Sequence, residues 1–301
     1  MSLLVTGSIG IDSVITPQGR ARDVLGGSAT YFSFAASLFT RVRLVAVVGD
    51  DFPAAFRDVL ALADVDLAGL ETRAGSKTFR WAGEYSPDMN ERDTLDIQLN
   101  VLAEAGPKIP RAFADSDVVF LANTHPVLQR ELLGQVNSPR LSVCDTMDCW
   151  IENEPDELRK TLAAVDGVII NDGEARDLTG RVNLVSAGEA ILALGPRFAV
   201  IKKGEHGAML VTGDSVTTIP AFPIAEVRDP TGAGDSFAGG MLGYLDHGGQ
   251  QDTAALRRAL LRGTVAASFT IEDFSLNRLR SVGPEELERR VKDFVDMLRI
   301  E

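Results

Sequence analysis

The runs Leu3–Gly10, Leu44–Val48, Val118–Ala122, Leu141–Cys144, Val168–Ile170 and Phe198–Lys203 are short, mostly apolar, and close on glycine or polar residues. Between and after them lie stretches with helical spacing, at about 28–39, 53–62, 126–136, 155–164, 187–194, 252–272 and 284–300. Strands that alternate with helices fold as a mostly parallel sheet between two helical layers. The fold class expected is therefore three-layer α/β/α. No linker, repeat or low-complexity tract divides the chain, so residues 1–301 are expected to form one domain. Two segments, about 13–25 and 71–102, do not fit that sheet. Ser13–Leu25 alternates weakly around a turn at Pro17-Gln18-Gly19, and Thr78–Tyr85 and Thr94–Leu102 alternate with strand period. They read as strands of a separate small sheet.

The most specific stretch is Asp229-Pro230-Thr231-Gly232-Ala233-Gly234-Asp235, which runs on into Ser236-Phe237-Ala238-Gly239-Gly240. Pro230 cannot continue a strand because it lacks an amide hydrogen. Gly232 and Gly234 admit turn dihedrals and close approach of a ligand to the backbone. The Ala/Gly-rich run Phe237–Leu245 that follows reads as a buried helix. Amides at the first turn of a helix lack partners within it and sit at the positive end of the helix dipole, which suits an anion. Asp235 stands in that same turn. A phosphoryl-binding turn beside a carboxylate that can accept a hydroxyl proton is the arrangement of a phosphotransfer site.

This stretch resembles the second signature of the PfkB (ribokinase-like) family of carbohydrate and nucleoside kinases, whose core is D-T-x-G-A-G-D; Pro230 replaces the usual Thr. The resemblance implies that Asp235 is the catalytic base, and that the amides of Gly232, Ala233 and Gly234 form an anion hole for the γ-phosphate of ATP. Gly26-Gly27 resembles the family's first signature, G-G-x-x-x-N, except that Tyr31 occupies the Asn position. That places Gly26, Gly27 and Tyr31 against the substrate, and Asp12 matches the Asp that binds substrate hydroxyls. Asn171 and Glu174 match N-x-x-E, implying that Glu174 places Mg2+ through water and that Asn171 lies beside the ATP phosphates. By chemistry alone the same pair reads as a helix capping box. Lys202-Lys203-Gly204-Glu205-His206-Gly207 resembles the family's glycine loop against the nucleotide, which adds Lys202, Gly204 and Gly207 to the ATP site, with Thr231. Gly263, on the helix expected at 252–272, would admit a flat adenine or serve tight helix packing. Some family members need K+, and Asp229, Thr231 and residues 271–275 lie where such an ion would bind. The two odd segments would then form a β-lid over the substrate, with water exclusion as its purpose. Phe79 and Trp81 would stack on a substrate ring or pack between lids, and an exposed lid face would support a homodimer.

Composition excludes other classes. Thirty basic residues against 43 acidic ones give a formal charge of −13, which argues against nucleic acid or an anionic membrane as partner. Cys144 and Cys149 have no second Cys or His cluster near them, so free thiols in a reducing cytoplasm are expected rather than a zinc site. No secretory leader or long apolar run is seen, so a cytoplasmic location is expected. The function expected is ATP-dependent phosphorylation of a hydroxyl, of hydroxymethyl type, on a small sugar or polyol. A nucleoside acceptor is the alternative, and a non-catalytic metabolite sensor on the same fold is the second.

Overall fold

The computed structural model describes residues 2–299, so Ile300, included in the last expected helix, lies outside them. The chain runs β1 (Leu3–Thr6), β2 (Gly10–Thr16), β3 (Gly19–Gly26), α1 (Ser28–Ser37), β4 (Val42–Gly49), α2 (Ala54–Leu62), β5 (Val65–Arg73), β6 (Phe79–Tyr85) and β7 (Arg92–Gln98). It continues through β8 (Val118–Leu121), α3 (Pro126–Leu133), β9 (Leu141–Cys144), α4 (Asp148–Asn153), α5 (Pro155–Leu162), β10 (Gly167–Asn171), α6 (Asp172–Thr179) and α7 (Leu184–Leu192). It ends with β11 (Phe198–Lys202), β12 (Ala208–Thr212), β13 (Ser215–Ile219), α8 (Ala233–Gly248), α9 (Thr253–Thr270) and α10 (Pro284–Leu298).

Among the described residues nine strands form one large sheet in the order β13-β12-β11-β10-β9-β8-β1-β4-β5. Neighbours from β11 to β5 pair in parallel, whereas β12 and β13 are added antiparallel at one edge. Alternate strand residues face opposite layers, as a strand's two-residue period requires. Leu3, Val5, Phe120, Ile169 and Val200 enter one core with Phe32, Met241 and Leu260. Leu4, Val119, Leu121, Ile170 and Ile201 enter the other with Leu132, Leu158 and Ile191. The first core holds α1, α2, α8, α9 and α10, and the second holds α3, α4, α5, α6 and α7. This is the α/β/α layering expected.

The small residues of α8 are explained by its neighbours. A Cβ on Gly239 would come within 2.3 Å of the Phe32 carbonyl on α1, and one on Gly240 within 2.5 Å of the Ala266 Cβ on α9. The helix is wedged between two others, and larger side chains would push all three apart. Among the described residues no helix is long and apolar enough to cross a membrane. Cys144 and Cys149 are both free; burial raises the pKa of each thiol.

A second sheet has the order β3-β2-β6-β7. Two boundaries differ from expectation. Leu3–Gly10 is not one strand: β1 stops at Thr6, and β2 starts at Gly10 in the small sheet, which puts Asp12 there too. Residues 71–73 finish β5, which pairs in parallel with β4 at the edge of the large sheet. Its mixed burial gives it no apolar run to be recognised by. The small sheet itself comprises residues 10–26 and 79–98.

Candidate active site

The carboxyl ends of β1, β8, β9, β10 and β11 open into a cleft of about 870 Å³, with β6 and β7 of the small sheet as part of its wall. Ligands gather at this end of open α/β sheets because helix N-termini and loop side chains converge there. A second hollow, of about 480 Å³, is lined by Ser142, Asp166 and Arg197 and contains none of the motif residues.

The glycine-rich turn forms one wall. Gly232 is the N-cap of α8 and takes φ 77° and ψ 1°, a left-handed conformation that suits glycine. Asp229 organises the turn from below: its Oδ1 accepts from the Thr231 amide at 2.9 Å and its Oδ2 from the Ser275 amide at 3.4 Å. Burial raises the Asp229 pKa, and the hydrogen bonds from Thr231 and Ser275 oppose this. Thr231, Gly232, Gly234 and Asp235 line the cleft. Ala233, expected in the anion hole with them, does not; its amide donates to the Pro230 carbonyl at 3.1 Å and closes the turn.

Asp235 lies in the first turn of α8, reachable from the cleft yet ringed by protein. Desolvation raises its pKa, and the positive charges of Lys202 and Arg92 pull it back down. Lys202 ends β11 and reaches the same turn: its Nζ is 2.8 Å from where a Cβ on Gly234 would sit. A side chain at Gly234 would therefore meet a flexible lysine tip first, and displace the cation before straining the loop.

Asp12 occupies the side of the cleft near α1. It is only 3% exposed, and its Oδ1 has no hydrogen-bond partner among the described residues. Burial pushes its pKa up to about 7, against a hydrogen bond from the Gly27 amide and with help from the charges of Asp229 and Asp235. A buried acceptor without a donor is costly unless a ligand supplies one, and a substrate hydroxyl would do so. The glycine pair is built around this carboxylate. A Cβ on Gly26 would fall 1.9 Å from Asp12 Oδ2, while Gly27 takes φ 95° to start α1. Gly27 lines the cleft and Gly26 backs the carboxylate. Tyr31 is 1% exposed, and its ring lies under Gly232, whose Cβ would meet ring carbons at 2.3–2.4 Å. Burial, followed by the nearby Asp229 and Asp12, raises the phenol pKa.

Asn171 and Glu174 form a full capping box on α6: Asn171 Oδ1 accepts from the Glu174 amide at 2.8 Å, and Glu174 Oε2 accepts from the Asn171 amide at 2.7 Å. Both residues also line the cleft, so the cap holds them in place over it. Burial raises the Glu174 pKa, and Lys202 opposes this. Three residues expected at the nucleotide are elsewhere engaged. Gly204 and Gly207 bracket the turn between β11 and β12 and do not line the cleft, and Gly207 packs against the Ile219 carbonyl. Gly263 faces α8, where a Cβ would meet the Phe237 carbonyl at 2.6 Å, so it serves helix packing.

Several cleft residues were not singled out from the sequence. Asp145, just after β9, is 8% exposed with Oδ1 unpartnered among the described residues. Burial, then Asp235, pushes its pKa well up, with Lys202 opposing. Its place at a strand end was the available signal. Asn123, His125 and Trp150 build a polar–aromatic wall beyond β8. The Trp150 indole donates to Asn123 Oδ1 at 2.9 Å, and the His125 and Trp150 rings meet edge-on at 5.0 Å. From the small sheet come Tyr85 and Arg92, beside Phe79 and Trp81, which the sequence had already offered as stacking or packing residues. The Thr231 hydroxyl donates to Tyr85 Oη at 3.2 Å, which ties that sheet to the glycine-rich turn.

Comparison with known proteins accounts for this arrangement. Residues 4–280 match the model of the pfkB family of carbohydrate kinases. The chain is 31% identical over 255 residues to a cytidine kinase of Thermococcus kodakarensis, covering 82% of this chain and 90% of that one. It is 38% identical over 307 aligned positions to an inositol 3-kinase of Arabidopsis thaliana, covering 96% and 80%. The fold matches a nucleoside kinase of Burkholderia thailandensis, solved with inosine, at a TM-score of 0.79 and 18% identity over 98% of this chain and 99% of that one. With Asp12, Asn171, Glu174, Lys202, Gly232 and Asp235 on one cleft and the family model covering nearly all of the sequence, the chain belongs to the pfkB family of carbohydrate kinases.

Proposed function

We propose that this kinase transfers the γ-phosphoryl group of ATP to a hydroxyl, of hydroxymethyl type, on a small sugar or polyol. The observation that carries the reading is the convergence of Gly232, Gly234, Asp235 and Lys202 on one side of a cleft whose other side holds Asp12 with its unpartnered Oδ1. Asp12 would accept hydrogen bonds from acceptor hydroxyls and hold one of them toward the turn. Asp235 would take that hydroxyl's proton as its oxygen bonds to the γ-phosphorus. The helix N-terminus and Lys202 would meet the negative charge on the phosphoryl oxygens.

The oxygen donors present suit Mg2+. Glu174 commits one oxygen to its cap and Asp145 has a free one, both on the cleft, and no cage of three such ligands exists among the described residues. That matches an ion that keeps waters and phosphates as most of its ligands. When bound, it neutralises phosphate charge. Asp229 retains lone pairs beyond its two amide bonds, which supports a K+ ion beside the turn.

A nucleoside acceptor is the second reading, favoured by Trp81, Phe79 and Trp150 on the cleft wall and by the likeness to a cytidine kinase. An ADP-release assay with Mg-ATP against sugars, polyols and nucleosides, run in KCl and in NaCl, separates them. Turnover on one class, lost in Asp235→Asn while ATP still binds by calorimetry, is expected. Wild-type turnover in Asp235→Asn would overturn the role given to Asp235, whereas ATP binding without turnover on any acceptor would overturn the kinase reading and leave a sensor.

A further inference from the structure

We propose that Arg92, carried on the small sheet, binds the transferring phosphoryl group from the side opposite Lys202. This rests on the kinase reading above. Arg92 opens β7 and pairs in register with Tyr85 of β6. Tyr85 in turn receives the hydrogen bond from Thr231, in the turn that holds Gly232 and Gly234. Arg92 lines the cleft together with Gly234, Asp235 and Lys202. Its guanidinium lies over the Trp81 ring, 5.6 Å from the centroid, and beside the Tyr85 phenol, whose pKa it pulls down against the effect of burial.

The surroundings of other arginines sharpen the point. Arg73, Arg130, Arg278 and Arg290 each pair with carboxylates. Arg92 forms none of the ion pairs found among the described residues; Arg111, Arg181 and Arg289 also form none, but Arg92 alone of these borders the cleft. An arginine left without a carboxylate beside a kinase site presents a planar fork that matches two phosphoryl oxygens.

The step balances without a further reactant. The acceptor oxygen forms its bond to the γ-phosphorus, and the acceptor proton passes to Asp235. The bond from the γ-phosphorus to the bridging oxygen breaks, and its electron pair leaves on ADP. Arg92 transfers nothing; it stabilises charge on the non-bridging oxygens. Because it rides on the small sheet while Lys202 is fixed in the large one, the pair of cations is complete only when that sheet covers the turn. Nucleotide bound without the sheet in place meets one cation.

The test needs no known acceptor. Full-length wild type, Arg92→Ala and Arg92→Lys are titrated by calorimetry with Mg-ADP and with the Mg-bound β,γ-imido analogue of ATP. Arg92→Ala should weaken the imido analogue about tenfold and ADP less than about twofold, since a charge-assisted bond to the γ-phosphate is lost. Arg92→Lys should fall between. Where an acceptor is identified, turnover of Arg92→Ala should drop about a hundredfold, and added guanidinium should restore part of it. Equal losses for the two nucleotides, or none, would show that Arg92 only packs on Trp81 and would overturn the proposal. A wild type that binds neither nucleotide would overturn the kinase reading itself.

Discussion

Asp12→Asn should stabilise the ligand-free protein and cripple acceptor binding, and the gain should grow with pH. Asp12 titrates near 7 in the fold against an ordinary value of 3.8, because it is buried with one oxygen unpartnered and Asp229 and Asp235 nearby. A carboxyl whose pKa is higher folded than unfolded adds no penalty below the unfolded value. The penalty then grows through the window between the two values and is complete above the folded one. At about 1.4 kcal/mol per tenfold in proton affinity, the full penalty is about 4 kcal/mol above pH 7, and only about 1.7 kcal/mol of it is present at pH 5. These are upper bounds, since Asp12 borders an open cleft that admits water. Asparagine keeps the oxygen that accepts from Gly27 and removes the charge. Urea unfolding of both proteins from pH 5 to 8 should show the advantage of Asp12→Asn widening by about 2–3 kcal/mol. Hydroxyl donors favour the ionised form, so the acceptor KM of the wild type should fall from pH 6 to 8 while the KM for ATP holds steady. A stability difference that does not change with pH, or an Asp12→Asn protein less stable at pH 8, would refute the reasoning.

Gly232→Ala should be far more damaging than Gly234→Ala. At Gly232 the new methyl combines φ 77° with ring carbons of the buried Tyr31 at 2.3–2.4 Å, whereas at Gly234 it meets the tip of Lys202. The first should lower stability by about 1–2 kcal/mol from backbone strain alone and abolish turnover, read by thermal melts and ADP release; equal effects at both positions would contradict this. Glu174→Gln should keep the helix cap, because glutamine serves a capping box as glutamate does. Its melting temperature should stay close to wild type while the Mg2+ concentration for half-maximal turnover rises about tenfold; an unchanged Mg2+ requirement would remove Glu174 from the ion's surroundings.

The large sheet was legible because buried parallel strands are apolar throughout, and the glycine-rich turn because its spacing has few other uses. The failures have physical causes. Leu3–Gly10 read as one strand because Ile9, in the connection, is as buried as the strands on either side of it. Nothing in hydropathy marks the change of sheet; only the glycines around it hint at the bend. Gly263 was drawn toward adenine by its size, yet size was needed for the approach of α9 to the Phe237 carbonyl. Arg92 could not have been found. Every residue of β7 is exposed, so its pattern carries no burial signal, and its value comes from Tyr85 and Thr231, the latter far away in sequence. The capping box at Asn171 and Glu174 was legible from its spacing, and both of its residues also border the cleft.

An acidic chain with an acidic cleft must still bind a polyanion, and the placement of charge shows how. Asp12, Asp145, Glu174 and Asp235 all border the cleft, and burial raises the pKa of each. None of them is suited to touch phosphate. Each instead suits a partner that offers a proton or positive charge: acceptor hydroxyls at Asp12 and Asp235, a hydrated metal ion at Asp145 and Glu174. The groups suited to phosphate are of another kind and border the same cleft. They are the Gly234 and Asp235 amides in the first turn of α8, the Lys202 ammonium and the Arg92 guanidinium. Nucleotide without its metal would bring its charge against unscreened carboxylates, whereas metal-bound nucleotide brings the neutralising ion to them. The carboxylates that make the empty cleft unfavourable are therefore the groups that make it selective, since each one loses its penalty only when the correct partner is in place.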